Sequence, residues 1–244
     1  MTHSSYAGLA GAAQAAASKN SLYHLLYFYM RQGTQSARTQ KYLSEVWMPA
    51  ARRAGAGPMG FFSPYFGERA PYILAVVSYP SFAALEALSG QLAGDAEYNS
   101  VQDPPYVRLE SELLRAFDGS PAMEVPPTDP KRPARLFEMR TYESLNESTV
   151  RRKAKMFDDG EAAIFRRIGM KTIFFGVALF GRNLPKLTYM LGYDDLAARE
   201  ALWQAFGADP EWQKLRAEPG RSDVELVSSI SNPILRPLPF SPIR

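Results

Sequence analysis

The sequence repeats itself at a fixed spacing, and this repeat constrains the fold more than any other feature. Residues 41–98 align with residues 155–212 without a gap when they are shifted by 114 positions. Sixteen of the 58 aligned positions are identical, whereas roughly three to five are expected for unrelated segments of ordinary composition. Such a repeat indicates two copies of one structural unit, each small enough to need the other as a packing partner. The identical pairs include Arg52/Arg166, Gly55/Gly169, Phe61/Phe175, Pro71/Pro185, Tyr79/Tyr193 and Leu88/Leu202.

Each copy has the same predicted order of elements, which is strand, helix, strand, strand, helix, strand. Aromatic and β-branched runs between turn residues predict the strands, and apolar residues three and four apart predict the helices. This βαββαβ order is typical of the ferredoxin-like unit. The predicted strands are residues 23–30, 60–66, 72–79 and 106–114 in the first copy and 135–142, 172–180, 186–193 and 224–230 in the second, with helices over 36–54, from Ser81, over 146–168 and from Asp195 to Phe206.

The arrangement of the two copies follows from the faces of their sheets. In a ferredoxin-like unit the helices cover one face of the sheet, so the other face needs a partner. The nearest partner is the sheet of the second copy. We therefore predict an α+β fold in which two tandem βαββαβ units pack sheet to sheet as an intrachain pseudo-dimeric α+β barrel. The predicted domains are residues 21–117 and 135–244, joined by a proline-rich linker over residues 118–134.

The composition excludes several classes of site. The chain has no cysteine and only two histidines, His3 and His24, so disulfides, thiolate chemistry and a multi-histidine metal site are excluded within one chain. A net charge of +3, with basic and acidic residues interspersed, argues against nucleic acid as a partner. No apolar run approaches the ~20 residues that span a bilayer, so no integral membrane segment is predicted.

The first twenty residues differ in composition from the rest of the chain. Residues 7–17 are almost all alanine and glycine, and the motif Ala13-Gln14-Ala15 has the form of a signal-peptidase site. No basic segment precedes this stretch. Residues 1–20 are thus interpreted either as a disordered tail or as the remnant of an export signal, and cytoplasmic and periplasmic locations both remain open.

The residues that begin the second copy resemble a known family. The run from Phe137 to Tyr142, Phe-Glu-Met-Arg-Thr-Tyr, resembles the strand that opens a NIPSNAP domain. The long helix after it and the run from Asp209 to Trp212 are also similar to that family. The resemblance covers about residues 22–236 and is closer in the second copy, so the chain resembles a bacterial protein with two tandem NIPSNAP domains. It implies the dimeric α+β barrel superfamily, whose fold antibiotic-biosynthesis monooxygenases and haem-degrading enzymes share, but it implies no agreed reaction.

The first strand of each copy carries the candidate chemistry. Residues 28–31 and 137–140 align at a spacing of 109 as Phe-Tyr-Met-Arg and Phe-Glu-Met-Arg. Because side chains alternate along a strand, the polar ones share a face, which we expect to look into the barrel or a cleft. Arg140, or Arg31, would then bind a substrate carboxylate or enolate. The alternative is that Arg140 pairs with the neighbouring Glu138.

Four further side chains are candidates for proton transfer or binding. Glu138 in a desolvated site could act as a general base, beside Tyr142. Tyr29 occupies the position aligned with Glu138 and could donate a hydrogen bond to an oxyanion. His24 could shuttle a proton or ligate haem, although a half-buried structural histidine is the simpler interpretation. Apart from that haem alternative, no cofactor is predicted.

Two functional hypotheses follow. The first is a cofactor-independent enzyme that acts on an organic acid or ketone in a barrel cleft, with Arg140 orienting the substrate and Glu138 moving a proton. The second is a non-catalytic ligand-binding or protein-interaction module. An enclosed pocket lined by Glu138, Arg140 and Tyr142 or by their first-copy counterparts favours the enzyme, whereas a filled barrel with internally paired arginines favours the module. A small-molecule ligand and a homo-oligomer are both compatible with the sequence.

Overall fold

A computed structural model describes residues 20–66, 70–93, 104–129 and 131–244. Residues 1–19, which contain nearly all of the alanine-rich tail, lie outside these ranges, as do residues 67–69 of the predicted turn at 67–71. Within the described ranges the chain forms two halves with the same order of elements. The first half runs from residue 22 to 116 and the second from 136 to 237.

The first half contains four strands and a broken first helix. A π-helical turn over Leu43–Trp47 interrupts the predicted long helix, and the chain stays helical on both sides of it. Gly55 ends that helix with a φ of 86°, a conformation that favours glycine. The elements are β1 (Leu22–Tyr29), α1 (Gln35–Tyr42), α2 (Met48–Arg53), β2 (Met59–Phe66), β3 (Tyr72–Tyr79), α3 (Phe82–Ala93) and β4 (Arg108–Ala116).

The second half repeats these elements and adds short ones near its end. A π-helical turn over Phe157–Glu161 again divides the first helix, and Asn146 and Asp195 cap the helices that follow them. The elements are β5 (Leu136–Glu143), α4 (Glu147–Met156), α5 (Ala162–Arg167), β6 (Lys171–Phe180), β7 (Lys186–Tyr193), α6 (Leu196–Ala208), α7 (Pro210–Ala217), α8 (Asp223–Leu226), β8 (Ser229–Ser231) and β9 (Ile234–Pro237).

The strands close into one antiparallel barrel of eight strands. Their order is β7-β6-β4-β1-β3-β2-β9-β5, and β5 pairs with β7 to complete the circle. The two halves join twice, through β4 with β6 and through β2 with β9. In each junction the fourth strand of one half pairs with the second strand of the other. This arrangement confirms the predicted pseudo-dimeric α+β barrel.

The fourth strand of the second half differs from its prediction. Residues 224–230 were expected to form one strand, but Asp223–Leu226 forms a helical turn and the strand is split into β8 and β9 around Pro233. Proline lacks the N–H that a ladder needs, which accounts for the interruption. Both pieces nevertheless pair with β5 in one continuous register, with Thr141 opposite Ser231 and Glu138 opposite Ile234.

Three hydrophobic cores lie within the described residues. One lies between the sheet and helices of the first half, one between the sheet and helices of the second half, and one inside the barrel. Tyr23 and Phe174 pack tightly in the barrel, with ring centroids 5.1 Å apart. Phe62 and Phe137 do the same at 5.0 Å. The middle of the barrel is therefore filled with side chains, and candidate sites lie on the helix side of the sheet and at the end of the barrel.

Candidate functional site

The register of the first strands differs from the sequence alignment. Leu22 pairs with Tyr79 in the first half, and Leu136 pairs with Tyr193 in the second. The strands β1 and β5 are therefore related by 114 residues, like the rest of the repeat, and not by 109. The difference of five is odd, so it exchanges the two faces of the strand. The structural counterpart of Glu138 is His24, and Tyr29 is not equivalent to it.

The faces of β5 are also reversed relative to expectation. Phe137 and Met139 point into the barrel core. Glu138, Arg140 and Tyr142 lie on the face covered by the helices, where Tyr142 belongs to the helix-side core. Of the two positions expected for the charged face, the barrel interior and a cleft, the structure excludes the barrel interior for these side chains. The physical reason is that the aromatic and thioether side chains fill the barrel more favourably, while the helices supply polar partners for the charged ones.

Glu138 is the centre of a saturated polar cluster. Its side chain is 0% exposed. Arg199 on α6 donates two hydrogen bonds to it, from Nη2 at 2.6 Å and from Nε at 2.9 Å. Burial raises the pKa of this carboxyl, but hydrogen bonds from Arg199 and the charge of Arg140 outweigh burial and hold the pKa below its usual range. The remaining donors to Glu138 are Arg140 Nη1 at 3.0 Å, Trp203 Nε1 at 3.0 Å, Asn232 Nδ2 at 3.1 Å and Tyr193 Oη at 3.3 Å.

All three guanidinium nitrogens of Arg140 also donate hydrogen bonds. Its Nε donates to the Tyr189 hydroxyl at 2.9 Å, and its Nη2 donates to the Tyr142 hydroxyl at 3.1 Å. The guanidinium also lies over the Trp203 ring, 4.5 Å from the centroid. The arrangement corresponds to the alternative in which Arg140 pairs with Glu138. The roles in substrate binding and catalysis that the sequence suggested for Glu138, Arg140 and Tyr142 remain untested predictions.

The first half has a cavity at the equivalent place. It has a volume of about 570 Å³ and lies between the sheet and the helices. Such a volume is within the range of small-molecule sites. The side chains of β1, α3 and β4 form most of its wall, and His24, Leu26 and Phe28 contribute the β1 side. These three are the structural counterparts of Glu138, Arg140 and Tyr142.

A short hydrogen bond joins two polar side chains on the wall of this cavity. His24 Nε2 lies 2.6 Å from Ser111 Oγ, across the β1–β4 pair. The other ring nitrogen, Nδ1, is buried and has no hydrogen-bond partner among the described residues. Burial lowers the pKa of His24 to about 4 from 6.5, so the imidazole is neutral near neutral pH. His24 and Ser111 both line the cavity.

Sequence reasoning missed Ser111, because a serine inside a strand is common. The strand register identifies its counterpart in the second half. Leu26 lies opposite Ser111, and in the second half Asn232, next to Ser231, lies opposite Arg140. The hydrogen bond from Asn232 to Glu138 thus occupies the place of the pair between Ser111 and His24.

Small residues in the first half replace large ones in the second. Leu26 and Leu85 stand where the second half has Arg140 and Arg199, and Ser89 stands where it has Trp203. On the sheet and the first helix, Ala75 and Ala51 replace Tyr189 and Phe165. Each of these exchanges places a smaller side chain in the first half. They explain why one half holds a cavity where the other holds a charged cluster.

The other two predicted binding residues lie away from this cavity. Tyr29 belongs to a second cavity of about 700 Å³ at one end of the barrel. Its hydroxyl donates to Glu110 at 3.2 Å, and the Arg108 guanidinium lies 4.1 Å from its ring centroid. Two ion pairs in this cavity, between Glu110 and Arg182 and between Glu112 and Lys186, join the halves at 2.8 Å each. Arg31 is exposed just beyond β1, so the structure does not bring Tyr29 and Arg31 together with Arg140.

Two further observations concern the described residues alone. They contain no group of three or more histidine, aspartate and glutamate side chains placed to hold a metal ion. Among the helices in this part of the chain, none is both long and apolar enough to cross a membrane.

Comparison with solved structures shows a shared fold. A candidate monooxygenase from Fusobacterium nucleatum superposes with a TM-score of 0.59 at 11% identity, covering 90% of this chain and 93% of that one. A second candidate monooxygenase, from Lactobacillus acidophilus, gives 0.57 at 8% identity, covering 88% and 93%. At such low sequence identities the similarity shows a common fold and nothing about activity. Comparison with the curated proteins gives no match.

The second half carries a more specific similarity. Residues 137–242 match the family model described as NIPSNAP. A NIPSNAP-like domain protein from Burkholderia xenovorans is 27% identical over 44% of this chain and 89% of its own length, with a TM-score of 0.40. The second half of the chain is thus similar to the NIPSNAP family over residues 137–242.

Proposed function

We propose that this protein is a cofactor-independent enzyme that transfers a proton on a small carbonyl compound in the first-half cavity. The observation that supports this proposal is the cavity of about 570 Å³ with the His24–Ser111 pair on its wall. The site thus moves from Glu138 and Arg140, the pair that the sequence suggested, to their first-half counterparts. The second half then serves as the scaffold that closes the barrel.

The pair can act as a base without an external cofactor. The Ser111 hydroxyl accepts the proton that leaves the carbon next to the substrate carbonyl, as it passes its own proton to His24 Nε2. The electron pair of the broken C–H bond moves onto the carbonyl oxygen and forms an enolate. The imidazolium formed at His24 provides the balancing positive charge. Return of the proton to a different carbon or face completes an isomerisation.

A specific observation favours a second candidate function, which is ligand binding without turnover. A histidine with a pKa of about 4 is a weak base, and its Nδ1 has no carboxylate to stabilise the imidazolium among the described residues. A binding protein needs only the cavity and one polar pair to orient its ligand.

One experiment separates the two functions. The probe 2-tetralone has acidic protons next to its carbonyl, and their exchange in D₂O can be followed by proton NMR. The enzyme is expected to accelerate this exchange over buffer. His24→Gln should slow it by about 100-fold or more, because general bases contribute on the order of 10²–10⁴. The control is the binding of 2-naphthol, followed by its fluorescence. His24→Gln should still bind this probe, because the glutamine amide can replace the imidazole as a hydrogen-bond partner of the ligand hydroxyl.

Exchange that the wild-type protein does not accelerate, together with saturable 2-naphthol binding, overturns the enzyme and favours the binding protein. Exchange that is accelerated equally by wild type and His24→Gln overturns the role of His24. Ser111→Ala provides a second readout, because loss of the relay should slow exchange while the neutral imidazole remains in place.

A further inference from the structure

None of the described residues that line the first-half cavity is an aspartate, glutamate, lysine or arginine. Its wall consists of aliphatic and aromatic side chains, two serines and His24. His24 is neutral near neutral pH because burial lowers its pKa to about 4. A ligand with a charged group would therefore lose its water shell without gaining a counter-ion, which is costly in an apolar site.

In the second half, the equivalent place accommodates a negative charge. There, Arg140 and Arg199 surround the equivalent position and neutralise the carboxylate of Glu138 at 3.0 and 2.6 Å. The same scaffold in the first half has Leu26 and Leu85 at those two positions. The anion-binding side chains are thus present in one copy and replaced by leucine in the other.

The aromatic side chains that line the cavity favour a flat ligand. Phe28 packs edge-on against Trp47 and Tyr106, with ring centroids 6.2 and 5.2 Å away, and all three line the cavity. Aromatic rings in such arrangements provide large apolar contact areas for another ring. At the rim, Leu109 and Phe180 are 42% and 64% exposed, so the entrance is apolar as well.

We infer that the first-half pocket takes an uncharged, flat ligand of about two or three fused rings with one carbonyl or hydroxyl group, and rejects carboxylates. The inference rests on the proposed function, in which this cavity is the ligand site, and narrows its substrate class from any small carbonyl compound to an uncharged one. The polar group of the ligand meets the His24–Ser111 pair. Leu26 and Leu85 are the residues that determine this selectivity.

The test compares 2-naphthol with 2-naphthoate, which differ in charge at pH 7 but share a ring system. Wild-type protein should bind 2-naphthol at least ten times more tightly. Leu85 is half-buried on α3, so Leu85→Arg can reach the cavity as Arg199 reaches Glu138 while its stem stays packed. This variant should bind 2-naphthoate at least ten times more tightly than wild type does. Leu85→Gln is the matched uncharged control and should show no such gain.

The possible results separate this inference from the proposed function. Tighter binding of 2-naphthoate than of 2-naphthol by the wild type overturns the selectivity but leaves the cavity as a ligand site. Binding of neither probe overturns the cavity as a site and the proposed function with it. A Leu85→Arg variant that melts at the wild-type temperature and gains nothing for 2-naphthoate overturns the role of Leu85. If that variant does not fold, Leu26→Lys provides the same comparison from the β1 side, with Leu26→Met as its control.

Discussion

The space between the sheet and the helices is occupied differently in the two halves. Between β5 and the helices of the second half, the fully buried carboxylate of Glu138 is surrounded by arginine, tryptophan, asparagine and tyrosine donors. Between β1 and the helices of the first half, neutral His24 and Ser111 border a cavity of about 570 Å³. One copy satisfies its polar groups internally, and the other leaves space for a ligand.

This difference shows how two copies of one scaffold can keep the same backbone while the side chains at one place differ. The π-helical turns over 43–47 and 157–161, the helix ends at Gly55 and Gly169 and the strand registers are kept in both copies. What changes is a small set of side chains on the inner surface of the helix–sheet layer. Exchanges such as Trp203 for Ser89 leave the backbone in place and convert a packed interior into a pocket.

The largest expected effect concerns the charge at the centre of the second-half cluster. Glu138→Gln keeps the side-chain size but leaves Arg140 and Arg199 without their shared counter-ion. Breaking a buried ion pair in this way typically costs about 3–5 kcal/mol, so urea unfolding should show a loss of that order. The matched change His24→Gln removes no charge at neutral pH and should cost about 1 kcal/mol or less. Equal losses in the two variants would contradict the asymmetry between the halves.

The next prediction concerns the acid response of the first half. His24 has a pKa of about 4 in the folded protein and 6.5 as its ordinary value, so the unfolded chain binds more protons between these values. The free energy of unfolding should therefore be highest above pH 6.5 and should fall by ~3 kcal/mol in total as the pH drops to about 4. Unfolding measured at pH 7, 5.5 and 4 should show this loss, and His24→Gln should remove it. Parallel pH dependence in the two proteins would be incompatible with a desolvated imidazole.

A smaller effect is expected from emptying the second half. Trp203→Ser removes the Trp203 Nε1 hydrogen bond to Glu138 and the ring contacts with Phe165 and Phe206, at 5.7 and 5.6 Å. Because Trp203 is only half-buried, we expect a loss of about 2 kcal/mol, below that of a fully buried tryptophan. The control, Ser89→Ala at the equivalent position, should change the free energy of unfolding by less than about 0.5 kcal/mol.

The smallest effect on stability is expected from filling the first half. Ser89→Trp places on α3 the side chain that the second half has at this position, and the cavity offers room for it. Its ring would cover apolar wall residues that water now contacts, so the free energy of unfolding should rise by about 1 kcal/mol. A decrease of several kcal/mol in chemical denaturation would mean that the cavity does not accept an indole ring.

The architecture could be predicted from the sequence because it depends on features that both copies retain. The repeat, the order of elements and the apolar strands over 72–79 and 186–193 led to a barrel of two units, and the closed circle of eight strands confirms it. Local signals also predict that Asp195, or Asp194 beside it, caps the helix that follows, and Asp195 is the cap of α6. The split of the last strand was missed because the sequence does not show which residues of 224–237 face a partner strand.

The site was harder to predict because strand register decides it. The shared Phe-x-Met-Arg pattern of residues 28–31 and 137–140 favoured a spacing of 109 over the spacing of 114 that the pairing requires. Because the difference of five is odd, the spacing of 109 aligns residues that lie on opposite faces of β1 and β5. It paired Glu138 with Tyr29, so His24 and Glu138 were not recognised as counterparts. Extending the gap-free alignment of residues 41–98 back to residue 22 would have aligned Leu22 with Leu136 and revealed the pair.

The central claim is that the first-half cavity is a ligand site, and titration with 2-naphthol tests it most directly. Wild type and Ser89→Ala should each bind one equivalent, whereas Ser89→Trp, which fills the cavity, should bind at least ten times more weakly while remaining folded. Unchanged affinity in a folded Ser89→Trp variant would contradict the account, because the ligand would then bind elsewhere on the protein.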